Sequence, residues 1–171
     1  MHHFALQAEY WLISHGTAMM QDKYIMIDQE FCMQLNQQTD FALRALILLA
    51  EEEKNTQSRL LTIREISEFH RISRNHMMKV INTLVEQNFV EAKRGKNGGL
   101  RLSRPSNEIR VGDVVRALEN HWNLVECFSP ERQNCQILPS CQLKHVFHRA
   151  LNAFLEELDQ CTLSDLLLRR V

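Results

Sequence analysis

Apolar residues recur at helical spacing from Asp40 to about Glu52, and this pattern predicts the first helix of a compact domain. Thr39 stands directly before this stretch and is the expected N-cap. The carboxylate of Asp40 falls in the first turn, where a negative charge interacts favourably with the helix dipole. The inward face of the helix would carry Ala42, Ala45, Leu46, Leu49 and Ala50.

A short second helix is predicted after a polar connection. The sequence Thr62-Ile-Arg-Glu65 fits a capping box, in which the Thr side chain bonds forward and the Glu side chain bonds back. Ile63, Ile66 and Phe69 would give this helix one apolar face.

A third helix is predicted after a tight turn at His70–Ile72, with Ser73 as its N-cap. Two short helices joined by so tight a turn are typical of a helix-turn-helix unit, here about Ile63 to Glu86. Glycine is common in such turns, whereas this chain places Arg71 at the expected left-handed position, at a cost of about 1 kcal/mol. The inward residues of the third helix would be Met77, Val80, Ile81, Leu84 and Val85.

Two short apolar runs after the third helix predict a β-hairpin with strands Phe89-Val-Glu-Ala92 and Leu100-Arg-Leu102. The loop between them, Lys93–Gly99, combines glycines with cations that attract phosphate groups. A nucleotide-binding loop is the alternative interpretation, but the Walker spacing is absent and no helix follows a Gly-Lys-Ser/Thr sequence. A helix-turn-helix followed by a basic hairpin therefore favours a winged DNA-binding domain.

Two more helices are predicted in the second half of the chain. A short one at residues 111–118 would pack Val114, Val115 and Leu118 on the winged domain. A long one, from Ser140 to about Gln160, has an apolar stripe wider than one partner helix needs. Such a stripe favours pairing between two subunits over packing within one chain. It consists of Leu143, Val146, Phe147, Ala150, Leu151, Phe154, Leu155 and Leu158.

The predicted fold is mainly α-helical: a winged helix-turn-helix domain with a short β-hairpin wing and a long C-terminal dimerisation helix. Residues 1–32 differ in style from the rest of the chain and form an extension of unknown role, unless translation begins at Met33 and they are a gene-model artefact. The remaining regions are the winged helix-turn-helix DNA-binding region at 33–105, a connecting helix at 106–126, a cysteine cluster loop at 127–141, and the dimerisation helix with its tail at 142–171.

Charge is distributed unevenly along the 171 residues. The formal net charge is −1, but residues 71–104 hold eight Lys and Arg residues against two Glu residues, a local charge of +6. The rest of the chain therefore carries −7. A basic segment in an acidic chain indicates a polyanionic partner, and double-stranded DNA fits the predicted fold.

The first polar residues of the third helix lie opposite its apolar stripe, where a recognition helix contacts bases in the major groove. Arg is suited to guanine and Asn to adenine, although the base that each residue meets is not readable from the sequence. His76 is interpreted equally well as a capping or surface residue. The predicted DNA-binding residues are Arg74, Asn75, His76, Lys79, Arg94, Lys96, Asn97, Gly98, Gly99 and Arg101.

Three of the five cysteines fall within 15 residues, in a segment interrupted by Pro130 and Pro139. Buried structural cysteines prefer regular elements, so three cysteines in a proline-broken loop favour a metal site. These cysteines are Cys127, Cys135 and Cys141.

We expect a cytoplasmic protein, because no apolar run is long enough to span a bilayer and the N-terminus lacks a signal-peptide pattern. Cysteines in that compartment are reduced, metal-bound or reactive rather than disulfide-bonded. Cys32 and Cys161 stand apart from the cluster and are interpreted as incidental thiols.

The chain resembles the bacterial iron–sulfur winged-helix regulators, and within them the nitric-oxide-sensing repressors, in TDFALRAL, SRNHMMKVINTL, RGKNGGLRLSRP, IRVGDVVRALE and the three-cysteine loop. The resemblance covers essentially all of residues 33–168. It implies a homodimer with the recognition helix in the major groove, the wing beside it and the long C-terminal helix crossing to the partner. The interval between Cys127 and Cys135 is longer than is usual in this family.

The resemblance also implies that the three clustered cysteines hold an iron–sulfur cluster, with 4Fe-4S favoured and 2Fe-2S as the other type. Its fourth ligand would be Asp40 of the partner subunit. A carboxylate is a weak and displaceable iron ligand beside three soft thiolates. His145 and His148 are rivals for this role, because related cluster-assembly regulators use a histidine shortly after the third cysteine.

The expected function is that of a transcriptional repressor and not of an enzyme. Binding to operator DNA would depend on the cluster, and its nitrosylation by nitric oxide would derepress nitrosative-stress genes. The alternative within the family is a regulator of iron–sulfur homeostasis or of a general redox response. A redox enzyme is disfavoured because the sequence lacks a CxxC pair, a dinucleotide fingerprint and an acid/base constellation. A zinc-stabilised DNA-binding protein is a further hypothesis, which the colour of the purified protein would test.

Overall fold

The computed structural model describes residues 35–55, 58–119, 122, 124–129 and 135–167. The predicted extension at residues 1–32 lies outside the described residues, as does Cys32. The helices are α1 (Gln37–Glu53), α2 (Ile63–His70), α3 (Arg74–Glu86), α4 (Val111–Leu118) and α5 (Gln142–Asp159), and the strands are β1 (Val90–Lys93) and β2 (Gly99–Leu102).

Helices α1 to α3 and the β1–β2 hairpin form a winged helix-turn-helix, which confirms the predicted fold class. The strands are antiparallel, with Val90 opposite Leu102, and their bounds differ from the predicted ones by one residue. Leu61, which precedes α2, forms an isolated bridge with Leu100 through two N–O contacts of 3.1 and 2.7 Å. This bridge attaches the wing to the segment that leads into the helix-turn-helix.

The start of α1 differs from the prediction, because the N-cap is Asn36 and not Thr39. Asn36 Oδ1 accepts a hydrogen bond from the Thr39 backbone N–H at 2.8 Å, and Asn caps a helix at least as well as Thr. The Asn36 side-chain amide also donates to the Leu118 carbonyl at 3.1 Å, and its backbone N–H donates to Glu119 Oε1 at 2.9 Å. The same residue therefore caps α1 and joins it to the end of α4.

The capping box at the start of α2 is confirmed. The Thr62 side chain accepts from the Glu65 backbone, and Glu65 Oε2 accepts from the Thr62 backbone N–H at 2.8 Å. Hydrogen bonds from Thr62 and Arg59 lower the pKa of Glu65 to about 2, so its carboxylate stays charged and available to the cap.

The predicted burial of Phe69 is wrong, since this side chain is 66% exposed. The buried residues of α2 are Ile66 and Ser67, with Ile63 and His70 half-buried beside them. Ile66 and Ser67 follow Ile63 by three and four residues and precede His70 by four and three, so the four residues define a single helix face. At about 3.6 residues per turn, Phe69 lies roughly a third of a turn away from the centre of this face, although it is still within α2.

Arg71 has the left-handed backbone conformation that the sequence predicted, with φ 55° and ψ 38°. We expect Arg71→Gly to be more stable than Arg71→Ala by about 1 kcal/mol, because both changes remove the charge and only glycine relieves the strain. Urea unfolding of the two variants measures the difference. Equal stabilities, or a more stable alanine variant, would contradict the assignment of strain.

The apolar positions predicted on α1, α3 and α4 converge on one core. All five predicted α1 residues are buried, as are the three on α4 and four of the five on α3, with Val85 half-buried. The core also includes residues of the hairpin and a residue after α5, namely Phe89, Val90, Leu100, Leu102 and Leu163.

The C-terminal end of α5 contacts α4. The Asp159 carboxylate of α5 and the Arg116 guanidinium of α4 form two N–O contacts of 2.6 Å each. The guanidinium lowers the pKa of Asp159. Gly112 lies beside this pair, and a Cβ at that position would come within 1.9 Å of Asp159 Oδ1. Because Gly112 has no side chain, α4 can lie close to the Asp159 carboxylate of α5. We call Gly112, Arg116, Asp159 and residues 161–163 the α4–α5 joint.

Backbone hydrogen bonds extend the α4–α5 joint beyond the end of α5. The Val111 N–H donates to the Cys161 carbonyl, and the Leu163 N–H donates to the Ile109 carbonyl, both at 2.9 Å. The Leu163 side chain is fully buried. The chain after α5 is thus fixed to the winged domain by main-chain and side-chain contacts together.

The first half of α5 contrasts with its fixed end. Of the predicted apolar stripe, Leu151 is buried, whereas Leu143 and Val146 are 58% and 46% exposed. Helix α5 covers most of the predicted range, although its start is two residues later. Among the described residues, no helix has the length and apolar character that a membrane span requires.

Candidate nucleic-acid interface and metal centre

Helix α3 presents an accessible polar face at its N-terminal end. The predicted base-contacting residues of this helix are all exposed, whereas Met77, Val80, Ile81 and Leu84 face the core. Ser73 Oγ accepts from the His76 backbone N–H at 3.3 Å, so this end of the helix is capped. The four residues, Arg74, Asn75, His76 and Lys79, therefore share the surface that entry into a major groove would use.

Met78 and Asn82 are exposed on α3 as well and were not predicted as site residues. Met78 is 40% exposed and follows Arg74 by four residues, which places the two side chains on neighbouring positions of the helix surface. An apolar side chain there can contact a thymine methyl group. Helical phase was the available signal, but the residue type suggested burial.

The N-terminal half of α1 contacts the recognition helix directly. The Gln38 side-chain amide donates to Thr83 Oγ1 at 2.9 Å, and the Phe41 ring centroid lies 6.4 Å from that of His76. Gln38, Phe41 and His76 border a small hollow of about 90 Å³ that is also lined by Gln37, Lys79 and Val80. A movement of the N-terminal half of α1 would therefore displace α3 through these contacts.

The wing carries exposed cations at its loop, where Lys93, Arg94, Lys96 and Asn97 all face solvent. Within the described chain, no ion pair involves the first three of these residues. Arg101 differs, because its guanidinium lies 2.6 Å from Glu91 Oε2, directly across the hairpin. A phosphate would have to share Arg101 with this carboxylate.

The glycines of the wing allow the backbone conformation of its loop. Gly95 has a φ of +111°, and its carbonyl accepts from the Gly98 N–H at 2.9 Å. A Cβ at Gly98 would lie 2.2 Å from the Lys93 carbonyl oxygen, so the loop closes only with glycine there. Gly98 and Gly99 are half-buried and bring the cations into position.

The three clustered cysteines lie on either side of residues 130–134. Cys127 is half-buried in a short 3-10 turn at Glu126–Phe128, and Cys135 is exposed. Cys141 is half-buried at the N-cap of α5, and its thiol makes no capping hydrogen bond. None of the three is in a disulfide.

Asp40, the predicted fourth ligand, is half-exposed on α1. Arg44 binds both of its carboxylate oxygens, with Nε 3.0 Å from Oδ1 and Nη2 2.7 Å from Oδ2. Within residues 35–55, 58–119, 122, 124–129 and 135–167, no three His, Cys, Asp or Glu side chains come together closely enough to hold a metal ion. The proposed ligand set therefore stays a prediction.

The chemistry of the three thiols fits a cluster of iron and sulfide. They are uncrosslinked, none is fully buried, and soft thiolates are the ligands that such clusters take. Cys161 is a useful contrast, because burial raises the pKa of its thiol and its Sγ faces the Thr162 carbonyl at 3.6 Å. A raised pKa disfavours the thiolate form that binds metal.

The chain matches the family model Rrf2, described as an iron-dependent transcriptional regulator, over residues 35–169. It is 44% identical over 138 residues to the HTH-type transcriptional regulator NsrR of Bacillus licheniformis, a match that covers 81% of this chain and 94% of that protein.

Solved structures are similar as well. IscR of T. potens has a TM-score of 0.61 at 25% identity, covering 78% of this chain and 85% of that one. CymR, the global cysteine regulator of B. subtilis, has a TM-score of 0.62 at 23% identity, covering 79% and 96%, and shows the fold. The chain belongs to the Rrf2 family of transcriptional regulators, resembles NsrR within it, and is a DNA-binding regulator and not an enzyme.

Proposed function

We propose that this protein is a homodimeric repressor whose binding to operator DNA depends on an iron–sulfur cluster that senses nitric oxide. The observation that carries the proposal is that one chain has both an exposed recognition face on α3 and three free thiols between α4 and α5. Its similarity to NsrR supports the same function.

The two copies of α3 would enter successive major grooves, about 34 Å apart, on a pseudo-palindromic operator. The exposed side chains of the first half of α5, including Leu143 and Val146, would be covered by the second subunit. Because the other end of α5 is fixed by the α4–α5 joint, the crossing of the two long helices would set the distance between the two recognition helices.

Cys127, Cys135 and Cys141 would hold the cluster, with Asp40 of the partner subunit as its fourth ligand. When bound, the cluster would supply iron that reacts with nitric oxide. In a subunit whose Asp40 does not ligate iron, Arg44 would hold that carboxylate, as it does in this structure. Since α1 contacts α3 through Gln38, this exchange would change the position of the recognition helix.

The function is tested by anaerobic purification with iron and sulfide counts, followed by operator binding with and without nitric oxide. We expect a coloured protein that binds the operator and releases it on treatment. A colourless zinc protein, or operator binding that survives bleaching of the cluster, would contradict the proposal. The counts also decide between 4Fe-4S and 2Fe-2S.

Lys96 and Asn75 are expected to have separable effects on DNA binding. Lys96→Ala should weaken binding to operator and scrambled duplexes alike and lower the salt slope by about 1, because it removes a phosphate contact. Asn75→Ala should cost about 1–3 kcal/mol on the operator and little on the scrambled duplex, since it removes a base contact. Fluorescence anisotropy at several salt concentrations measures both.

Lys54→Ala is the matched control for these two variants, because it removes an exposed cation at the end of α1 that belongs neither to α3 nor to the wing loop. Its affinity and salt slope should equal those of the unaltered protein. A Lys96 variant that loses operator affinity alone would show that the wing reads sequence, contrary to its assigned role.

A regulator of iron–sulfur homeostasis, with His145 as the fourth ligand, is the second candidate. His145 is exposed on α5 and follows Cys141 by four residues, about one helical turn. The fold shared with IscR favours this candidate. Cluster retention in Asp40→Ala and His145→Ala distinguishes the two, because only the variant that lacks a ligand should lose its cluster faster.

A further inference from the structure

An aromatic stack joins the cysteine loop to α5. The rings of Phe128 and His148 lie with their centroids 4.2 Å apart and their planes 20° from parallel. Phe128 directly follows Cys127 in the same 3-10 turn, and its N–H donates to the Val125 carbonyl at 2.9 Å. A contact made by Phe128 therefore fixes the backbone that carries Cys127.

The same helix carries Cys141 at its N-cap, seven residues before His148. At a rise of 1.5 Å per residue, about 10 Å of helix separate the two positions. The stack thus holds the first cysteine of the loop against the element that presents the third. The intervening turn is ordered by its own backbone, since the Leu138 N–H donates to the Cys135 carbonyl at 3.1 Å.

Such an anchor has a specific use in this chain. Seven residues separate Cys127 from Cys135, against five between Cys135 and Cys141. A longer loop has more conformations to lose when its cysteines converge on one cluster. Fixing Cys127 on α5 removes part of that entropy before the cluster forms.

We propose that His148 is a positioning residue that holds Cys127 on α5 through its stack with Phe128 and prepares the loop to bind its cluster. The stack itself is independent of any metal, whereas its effect on the cluster rests on the proposed function. His148 is also a candidate cluster ligand. Ring stacking uses the faces of the imidazole and not the nitrogen lone pairs, so stacking and ligation predict different effects of changing Phe128.

The first test uses the full chain without cluster and measures alkylation of each cysteine by iodoacetamide with mass spectrometry. We expect His148→Ala and Phe128→Ala each to raise the rate at Cys127 about two- to tenfold, which is the range expected from an aromatic pair. The double variant should be no faster than either single one, and His148→Phe should keep the original rate because it can still stack.

Cys161 is an internal control in the same experiment, because it lies at the far end of α5 and its thiol is shielded. Unchanged alkylation at Cys127, additive effects in the double variant, or a His148→Phe rate equal to that of His148→Ala would overturn the proposal. A parallel increase at Cys161 would overturn it too, since unfolding of the whole helix would then be the cause.

The second test measures the loss of visible absorbance from the loaded protein in the presence of a chelator. Phe128→Ala should accelerate the loss as much as His148→Ala does, and His148→Phe should restore the original rate. Fast loss in both histidine variants with no effect of Phe128→Ala would identify His148 as a ligand and overturn the positioning role. If neither the unaltered protein nor any variant takes up a cluster, the proposed function is wrong. The alkylation result would still show whether the stack between Phe128 and His148 holds Cys127 in place.

Discussion

Replacing Cys141 with Ala should remove the visible absorbance of the anaerobically purified protein and lower its operator affinity at least tenfold, which corresponds to about 1.4 kcal/mol. On the proposed function, a cluster that loses one of its three thiolate ligands would not be retained, and the loop would then no longer constrain the start of α5. Nitric oxide should then have no further effect on DNA binding. The thiol of Cys141 makes no capping hydrogen bond, so alanine should leave α5 itself intact.

Cys161→Ala is the matched control, because it makes the same chemical change at a thiol outside the cluster loop. This variant should keep its colour, its operator affinity and its response to nitric oxide. Circular dichroism of both variants verifies that helix content is unchanged. If Cys141→Ala binds the operator as tightly as the unaltered protein does, DNA binding in this chain is independent of the cluster.

The effect of Gly112→Ala on the free energy of unfolding should have opposite signs in two backgrounds. In the unaltered protein the new methyl group meets the Asp159 carboxylate, and the resulting overpacking should cost about 1–3 kcal/mol. In an Asp159→Ala background the carboxylate is absent and the flexible Arg116 side chain, 2.9 Å from the added Cβ, has lost its partner and can move aside, so the helix propensity of alanine should instead stabilise the protein by up to about 1 kcal/mol. The coupling between the two positions should therefore be about 2 kcal/mol.

Chemical unfolding of the four proteins in this cycle measures the coupling. Asp159→Ala alone should destabilise the protein, since it removes both contacts with Arg116. If Gly112→Ala destabilises equally in both backgrounds, the close approach of α4 to Asp159 does not explain the glycine.

The helix-turn-helix could be predicted closely from the sequence because its signals are local. The capping box at Thr62, the cap at Ser73 and the left-handed Arg71 each depend on residues within one turn of the chain. The core faces of α1, α3 and α4 could be predicted from helical periodicity, which is also a local signal.

Features that depend on distant parts of the chain could not be predicted. Asn36 is the cap of α1 partly because Leu118 and Glu119 accept its other hydrogen bonds, 82 and 83 residues away. Phe69 was expected inside because its residue type is apolar, although the packing of α2 buries the face of Ile66 and Ser67 instead. The left-handed conformation of Asn88, with a φ of 58°, was not predicted, because asparagine also adopts many other backbone conformations.

The candidate site shows the same division. Residue type and spacing were enough to nominate the cysteines and the basic face of α3. The Arg44–Asp40 pair, the Gln38–Thr83 hydrogen bond and the Phe128–His148 stack required the packing of separate elements. Convergence of the predicted ligands needs a partner subunit and the residues between Cys127 and Cys135, so it stays a prediction.

Burial of Leu163 has a consequence for synthesis of the protein. This residue completes a core that is built mainly from α1, α3 and the hairpin, yet it is translated more than a hundred residues after α1 begins. A nascent chain that has made only the helix-turn-helix and wing therefore lacks part of its own interior. The core of the DNA-binding half is complete only after the cysteine loop and α5 have been translated, so a product truncated before Leu163 would have an incomplete interior.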